Sequence, residues 1–371
     1  MMDIRLTRAA YLVCATIAAT AAQSAEEFTN SSGGTFQYYG QFSPAILSFD
    51  DGGQSSTDFV DNTNSNSRIG FWIRQPLNTG RLSFNLETAF GFRGSAGVNQ
   101  LIKDDSLSWT RADLRKAEFI WETGQYGTFS FGQGSMASDG VATVDQSGTT
   151  LVSYVSIGDT AGAYVFRTST GALSTVPMAA AFATFDGGRR GRVRYDTPSF
   201  SGFSLSASYG EQILISAINT KDYDLALRYA KELGDFKVRG ALAYAWSERE
   251  TLANTQSTIG SLSVLHSPTG FSATLAAGSR DVSGEYGYIK LGYRDDFFAF
   301  GETAMSIDYY DGRDMVSAGS SSGSIGAGVV QKIDKLDLEA YLGYRMYEYS
   351  DTSGTTYQDA NSILFGARWK F

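Results

Sequence analysis

Cysteine and histidine are almost absent from this sequence: its 371 residues include one of each, Cys14 and His266. A disulfide framework, a cysteine-based zinc site and chemistry that needs two histidines are therefore excluded. Basic residues are also few, since 30 lysines and arginines stand against 39 aspartates and glutamates. This balance disfavours a nucleic-acid partner, because phosphate neutralisation requires a basic surface. No nucleotide motif or attachment site for a covalent cofactor is present, and we expect no cofactor.

Long hydrophobic runs are also missing after residue 24, so no transmembrane helix is predicted there. The first 24 residues have the pattern of a secretory signal peptide. Arg5 and Arg8 precede the uncharged, mostly apolar stretch 9–22, and Ala22 and Ser24 are small residues at the two positions that a signal peptidase reads. As an α-helix this stretch would span about 21 Å of a hydrocarbon core of about 30 Å, which disfavours the alternative of a retained anchor. We expect residues 1–24 to be a signal peptide and residues 25–371 a single exported domain.

Alternation of apolar and polar residues dominates the rest of the chain. Near the C-terminus Ile363, Phe365 and Trp369 fall on one face, and Ser362 and Arg368 fall on the other. Such period-two patterning is typical of a β-strand, whose successive side chains point to opposite sides. About sixteen such segments begin near Thr35, Ser67, Gly80, Arg115, Gly127, Arg189, Gly202, Asp222, Asp235, Thr258, Gly270, Tyr286, Phe298, Gly323, Lys335 and Asn361.

The connections between these segments alternate between short turns and mostly longer polar loops. Short turns are predicted at 78–80 and 295–296, for example, and long loops at 49–66, 94–110, 311–322 and 350–360. This layout is typical of an outer-membrane barrel. Strands survive in a bilayer only as a closed barrel, because every backbone N–H and C=O must be paired. The sequence therefore predicts an all-β, transmembrane antiparallel β-barrel of about 16 strands, wide enough for an aqueous channel.

One connection, about 134–188, is much longer than the others. Connections of this length are uncommon, and its apolar content, including Tyr154, Tyr164, Phe166 and Phe182, is too high for disorder. The segment must pack against something, and we expect it to fold into the barrel as a constriction loop. The alternative is a cap over the extracellular mouth.

Charged residues on the predicted inner face suggest a field across the channel. The long connection carries Asp139, Asp145, Asp159 and Asp186 against Arg167. The alternation places five arginines on the inner face of the wall: Arg68, Arg74, Arg190, Arg192 and Arg194. Acidic groups on one side and basic groups on the other would orient dipolar solutes. Alternatively, these arginines simply solvate the lumen or pair with neighbouring acids.

Four short stretches resemble the Gram-negative general-diffusion porin family. They are Tyr39-Gly40-Gln41, Asn66-Ser67-Arg68-Ile69-Gly70-Phe71, Arg194-Tyr195-Asp196-Thr197-Pro198 followed by Gly202-Phe203, and the terminal Phe371. The resemblance covers nearly all of the chain after residue 24. It implies a homotrimer of sixteen-stranded barrels in the outer membrane, in contact with lipid and lipopolysaccharide, each with its third long loop folded inward.

The resemblance also implies roles for individual residues. Asp139, Asp145 and Asp159 would be the acids of the constriction loop, and Arg68, Arg74, Arg190, Arg192 and Arg194 would form a basic wall. The sequence departs from the family pattern at one point, because Gly132 is followed by Gln133 where family members often have an arginine. The basic wall is therefore expected to be thinner there.

The function that these expectations favour is passive diffusion of small hydrophilic solutes and ions, with a weak preference for cations. A sugar-selective channel is an alternative, because Tyr154, Tyr164 and Phe166 could stack on a sugar. A phosphate-selective filter is disfavoured by the absence of lysine from the long connection. An outer-membrane enzyme is less favoured, since His266 lies beside a predicted turn. Paired aspartates in outer loops, such as Asp50-Asp51, leave calcium binding open, although solvated charge explains them as well.

Overall fold

The computed structural model describes residues 27–102, 107–216, 219–250 and 252–371, so the predicted signal peptide lies outside the described residues. The strands, in chain order, are β1 (Glu27–Thr29), β2 (Thr35–Phe42), β3 (Pro44–Asp50), β4 (Ser55–Asp61), β5 (Arg68–Leu77), β6 (Gly80–Ala89), β7 (Leu114–Glu122), β8 (Thr128–Ser135), β9 (Val165–Arg167), β10 (Leu173–Pro177), β11 (Arg189–Asp196), β12 (Phe203–Glu211), β13 (Thr220–Leu233), β14 (Phe236–Arg249), β15 (Thr255–His266), β16 (Phe271–Arg280), β17 (Glu285–Phe298), β18 (Gly301–Arg313), β19 (Ser321–Ile333), β20 (Leu338–Ser350) and β21 (Ala360–Lys370). Two one-turn helices are α1 (Gly158–Ala161) and α2 (Met178–Ala181), and 3-10 turns lie at Thr63–Ser65, Ser95–Gly97, Arg111–Asp113 and Asp334–Leu336.

The strands close into an antiparallel barrel of sixteen strands, which confirms the predicted fold. β2 and β3 are two halves of one barrel strand that bends at Ser43, and β4 and β5 are two halves of the next, separated by the turn Thr63–Ser65. The last strand, β21, closes the sheet because it pairs with β20 on one side and with β3 and the end of β2 on the other. β8 pairs directly with β11, so residues 136–188 leave the wall between these two strands.

The alternating pattern of the sequence determines which side chains face outward. On β16, Leu275 is 52% exposed and its neighbour Ala276 is 5% exposed. At the C-terminus Ile363 and Phe365 are exposed and Ser362 and Leu364 are buried, as the alternation predicts. In a closed barrel one of these faces meets lipid and the other lines the interior.

Two predicted connections are wrong. The polar loop predicted at 49–66 instead contains the end of β3, a tight turn at 51–54 and β4. Because Asp58 and Asp61 make this stretch polar, its sequence did not indicate a strand. In β4, however, Phe59 is exposed and Val60 is buried. The turn predicted at 295–296 lies at 299–300, because the pairing register shifts between Asp295 and Phe298 and β17 continues to Phe298. Such a bulge adds residues to a strand without ending it.

Within the described part of the chain, no helix combines the length and the apolar character that crossing a membrane requires.

Residues 136–188, which we call the inner loop, pack against the inner face of the wall. Tyr164 stacks on Phe49 of β3 with 4.0 Å between ring centroids, and Phe166 stacks on Tyr349 of β20 at 5.3 Å. Phe182 makes edge contacts with Tyr310 and Tyr347 at 5.5 and 5.6 Å. These aromatic side chains of the loop are almost completely buried. Their burial explains why a long connection with this composition is ordered inside the barrel.

Candidate functional site: the inner loop and the wall around it

A network of buried charged groups joins residues 145–153 of the inner loop to one side of the wall. The ammonium group of Lys290 on β17 donates to the Asp145 carboxylate at 2.7 Å and to the backbone carbonyl of Ser153. The Ser153 hydroxyl donates to Asp308 on β18, which accepts two hydrogen bonds, at 2.8 and 2.9 Å, from the guanidinium of Arg345 on β20. We call Asp145, Ser153, Lys290, Asp308 and Arg345 the anchor network.

Glycines on the wall make room for the same part of the loop. A Cβ atom added at Gly328 or at Gly343 would lie 2.7 Å from a side-chain atom of Val152, and one added at Gly292 would lie 2.7 Å from Cβ of Ser147. Real Cβ atoms do not approach that closely. The glycines therefore form a trough into which residues 147–152 fit, and any larger residue there would displace the loop.

A second set of contacts holds the outer end of the inner loop. Arg167 on β9 donates two hydrogen bonds of 2.8 Å to Asp51, which lies in the turn between β3 and β4. Gln100 donates to the Val165 carbonyl at 2.7 Å and accepts from the Val165 amide at 3.2 Å. Although burial raises it, hydrogen bonds from Arg167 and from the amides of Gln54 and Gly53 bring the pKa of Asp51 below its ordinary value. The Arg167–Asp51 ion pair therefore holds the outer end of the inner loop, and Asp51 stays ionised at mildly acidic pH.

Carboxylates of the inner loop gather around Tyr154. Asp139, Asp159 and Asp186 all interact electrostatically with this tyrosine. The Asp186 carboxylate accepts from the amides of Gly140 and Ala142 at 2.9 and 2.8 Å, yet burial together with the charge of Asp139 raises its pKa to about 6. Burial and the charge of Asp186 raise the pKa of Asp159 to about 7. Like charges close together in a poorly solvated place resist simultaneous ionisation, so Asp159 and Asp186 titrate near neutrality.

The profile of the Gram-negative porin family matches residues 9–352 of the chain. The chain belongs to the Gram-negative porin family.

Solved structures with the same fold are porins and related outer-membrane proteins. An anion-selective porin from Comamonas acidovorans is similar over 91% of this chain and 100% of its own, with a TM-score of 0.61 and 18% identity. The trimer form of OmpT from Vibrio cholerae covers 91% of this chain and 99% of its own, with a TM-score of 0.56 and 16% identity. OmpF of Salmonella typhi, in complex with daunomycin, covers 93% and 100%, with a TM-score of 0.58 and 14% identity. No curated protein matches the chain. The chain is therefore an outer-membrane channel.

The predicted acids of this porin have different environments. Asp159 is half-buried, and the described residues provide its carboxylate with no hydrogen-bonding partner. The Asp139 backbone carbonyl accepts from Arg228, and its side chain lies within electrostatic range of Tyr154. Asp145 is 5% exposed and faces Lys290 rather than water. The role of Asp145 as an acid of the constriction loop therefore stays a prediction, and its charge is paired with Lys290 within the anchor network.

The predicted basic wall consists largely of paired arginines. Arg190 pairs with Asp222, Arg192 with Glu118, and Arg194 with Asp196. Arg68 lies 3.5 Å from Glu87. Arg74 donates to the side chain of Gln37 at 3.0 Å, and its guanidinium lies 4.9 Å from the ring centroid of Trp72. Carboxylates on β6, β7, β13 and β11 itself neutralise four of these arginines, which agrees with the alternative that the arginines pair with neighbouring acids.

Other arginines complete the basic side of the porin wall and were missed by sequence analysis. Arg115 donates to Glu87 at 2.6 Å, and Arg368 donates to Glu339 at 2.7 Å. Arg228 donates to the Asp139 carbonyl at 2.9 Å, while its other terminal nitrogen is buried without a partner. Arg228 and Arg368 lie on polar strand faces; the alternation placed Arg368 there but assigned neither residue to the basic wall. It could not have indicated Arg115, because a register shift in β7 moves this residue.

The position of Gln133, where family members often have an arginine, lies beside two other arginines. Gln133 and the side chains of Arg115 and Arg189 line a cavity of about 220 Å³. The side-chain oxygen Oε1 of Gln133 and the Nε atom of Arg189 are both buried without a hydrogen-bonding partner. The basic charge that Gln133 lacks is thus supplied nearby by Arg189 and Arg115.

The described residues contain no group of three or more histidine, cysteine, aspartate or glutamate side chains that could hold a metal ion. Asp51, one of the outer-loop acids considered for calcium, accepts hydrogen bonds from Arg167 and is fully buried. Its carboxylate therefore acts as a structural group of the channel mouth.

Proposed function

We propose that the channel allows passive diffusion of small hydrophilic solutes and ions, and that the inner loop is its constriction. The observation that carries the proposal is the packing of residues 136–188 against the inner wall, with aromatic rings of the loop stacked on Phe49 and Tyr349. A loop that occupies the bore reduces the passage for solutes and brings its charged groups close to them.

A weak preference for cations follows from the distribution of paired and unpaired charge. Four of the predicted wall arginines have carboxylate neighbours within ion-pair distance, whereas the Asp159 carboxylate has no such partner among the described residues. The ion pairs of the inner loop involve only Arg167 and Asp145 among the described residues, so its other acids, Asp139, Asp159 and Asp186, give the loop side of the constriction an excess of acidic charge above neutral pH. The anion selectivity stated for the Comamonas acidovorans porin belongs to that protein and does not transfer at 18% identity.

Single-channel recording in a planar bilayer tests both statements. We expect stepwise ohmic conductance and, under a salt gradient, a reversal potential with the sign of cation preference. Absence of conducting steps from folded protein would contradict the proposed function, and a strongly anion-selective reversal potential would contradict the cation preference. Liposome swelling with sugars and non-sugar solutes of equal size separates general diffusion from sugar selectivity, since only a sugar channel would favour the sugars.

We infer that the barrel assembles as a homotrimer through an aromatic band on its outer surface. Phe36, Phe71, Phe84 and Phe119 lie on adjacent strands, with successive ring centroids 5.6, 6.0 and 4.9 Å apart. The strands that carry the band are 8–10 residues long, whereas β13 to β20 have 10–14. Chemical cross-linking in mild detergent is expected to trap three copies, and Phe84→Lys, which places a charge in the band, is expected to abolish the trimer.

Two further expectations complete the proposal. Export would remove residues 1–24, and mass spectrometry of the protein from outer membranes is expected to find Ala25 at its N-terminus. No enzymatic role is proposed for His266, whose Nδ1 atom lies 2.7 Å from the Thr269 hydroxyl in the turn between β15 and β16. We expect the parent protein to hydrolyse neither lipid nor peptide substrates. His266→Ala is expected to leave its conductance unchanged.

A further inference from the structure

The anchor network contains two positive and two negative groups, all of them removed from water. Lys290 is 1% and Asp145 5% exposed, and Arg345 and Asp308 are buried to a similar degree. The four charges cancel within the network. They therefore contribute little field to the channel water, unlike Asp159, and a role in ion selectivity does not explain their presence.

Stability alone does not explain them either. Buried ion pairs often contribute no more to stability than apolar residues of similar volume, because desolvation offsets the attraction. Their best-attested use is to specify one arrangement among several that pack equally well. The contacts of Val152 with Gly328 and Gly343 are apolar and impose no direction, whereas the hydrogen bonds of Lys290 are directional.

We propose that Lys290, together with Asp145, is a positioning pair that fixes the register of the inner loop on the wall and thereby sets the aperture of the channel. Lys290 bonds to both ends of the segment 145–153, through the Asp145 carboxylate and the Ser153 carbonyl. Asp308, which is held by Arg345, bonds to the Ser153 side chain from the next strand. Three wall strands thus determine where one loop segment lies. The inference rests on the proposal that the inner loop is the constriction.

The test removes both members of the pair, so that no unpaired charge remains buried. We expect the double variant Asp145→Leu/Lys290→Met to fold as a barrel but to let the segment 145–153 occupy more than one position on the wall. In planar bilayers its time in additional conductance levels should rise about tenfold or more, as for an equilibrium that loses one specific stabilising contact. The size limit for neutral polymers entering the channel should become less sharp. The reversal potential should stay unchanged, because the pair is electrically neutral.

The matched control removes an ion pair that touches neither the inner loop nor the bore. Arg313 is 68% exposed and pairs with Asp311 at 3.3 Å. Asp311→Leu/Arg313→Met is expected to show the same conductance levels and the same reversal potential as the parent protein. Circular dichroism and heat-modified mobility on gels are expected to show folded barrels for both double variants.

A disulfide provides rescue. The hydroxyls of Thr149 on the loop and Ser306 on β18 lie 2.7 Å apart, so cysteines at these positions can be cross-linked. The cross-linking variant adds Thr149→Cys and Ser306→Cys to Asp145→Leu/Lys290→Met, with Cys14 replaced by serine. When it is oxidised, the channel should return to a single conductance level. When it is reduced, the additional conductance levels should reappear. A double variant that conducts like the parent protein would overturn the inference. Additional conductance levels that persist in the oxidised, cross-linked variant would overturn it as well. Absence of any conductance from the folded parent protein would instead count against the proposed function itself.

Discussion

Arg192 on β11 donates to Glu118 on β7 across the intervening strand β8, and the two side chains are only 3% and 4% exposed. The pair is therefore shielded from the channel water. A guanidinium expected to contribute to a basic wall instead holds three neighbouring strands together.

Replacement of Arg192 by methionine should destabilise the barrel. The Glu118 carboxylate would remain buried without its partner, which costs about 3–5 kcal/mol. Unfolding in detergent with increasing denaturant measures the loss. Arg192→Met/Glu118→Leu is expected to recover most of it, and a single variant as stable as the parent protein would show that the pair is solvated.

Replacement of Asp159 by asparagine should weaken the preference for cations with little effect on stability. A unit charge about 8 Å away attracts a permeating cation and repels an anion by about 0.5 kcal/mol each in water, so above pH 8 the ratio of cation to anion permeability should fall about sixfold. Reversal potentials under a salt gradient provide the measurement. Asp281→Asn, at the turn after β16, is the control and should leave the ratio unchanged. Equal shifts in the two variants would place the selectivity outside the inner loop.

Acid should reduce the preference for cations in two steps. The pKa values of Asp159 and Asp186 are raised to about 7 and about 6, so both carboxyls are charged above pH 8 and neutral below pH 5. Because these values lie above the ordinary value of 3.8, the folded state binds protons that the unfolded state releases, and the contribution of these groups to stability grows as pH falls from 8 towards 4. Reversal potentials recorded between pH 8 and 5 should decrease over this range. In the Asp159→Asn variant only the lower step should remain.

Removal of the Arg167 charge should loosen the outer end of the inner loop. Arg167→Gln loses a charged hydrogen-bonding pair with Asp51, which is worth about 1.5–3 kcal/mol. Cleavage by proteinase K between residues 168 and 172 should then become about tenfold faster or more. Since the pKa of Asp51 is lowered, the pair is fully formed above the ordinary aspartate pKa and is lost only as pH falls below it. Arg313→Gln is the exposed control, and an unchanged cleavage rate in Arg167→Gln would contradict the role of the pair.

Most of the barrel could be predicted because a strand in a membrane wall displays its environment directly in its sequence. The predicted strand starts lie within three residues of the observed ones, for example Thr35 for β2, Arg189 for β11 and Asn361 for β21. The prediction failed where polarity obscured the alternation, as in β4, or where a bulge changed the register, as at Asp295. The helices α1 and α2 were beyond prediction, since four residues are too few to show a helical period.

The site was less predictable than the fold because its chemistry depends on which distant residues meet. Alternation predicted Arg192 on the inner face but could not reveal its partner Glu118, 74 positions away. Similarly, Asp145 was identified as an acid of the loop, whereas its partner Lys290 lies 145 positions further along the chain. Whether a charge faces solutes or is cancelled is decided by strand register and loop docking, and neither is written in local sequence.

The trough formed by Gly292, Gly328 and Gly343 has a consequence for engineering this channel. These positions lack side chains where the inner loop rests. Excision of the loop would therefore not produce a uniform wide tube. It would open a furrow along one side and expose Lys290, Asp308 and Arg345 to ions for the first time, so that the widened passage would acquire an excess of positive charge along that furrow.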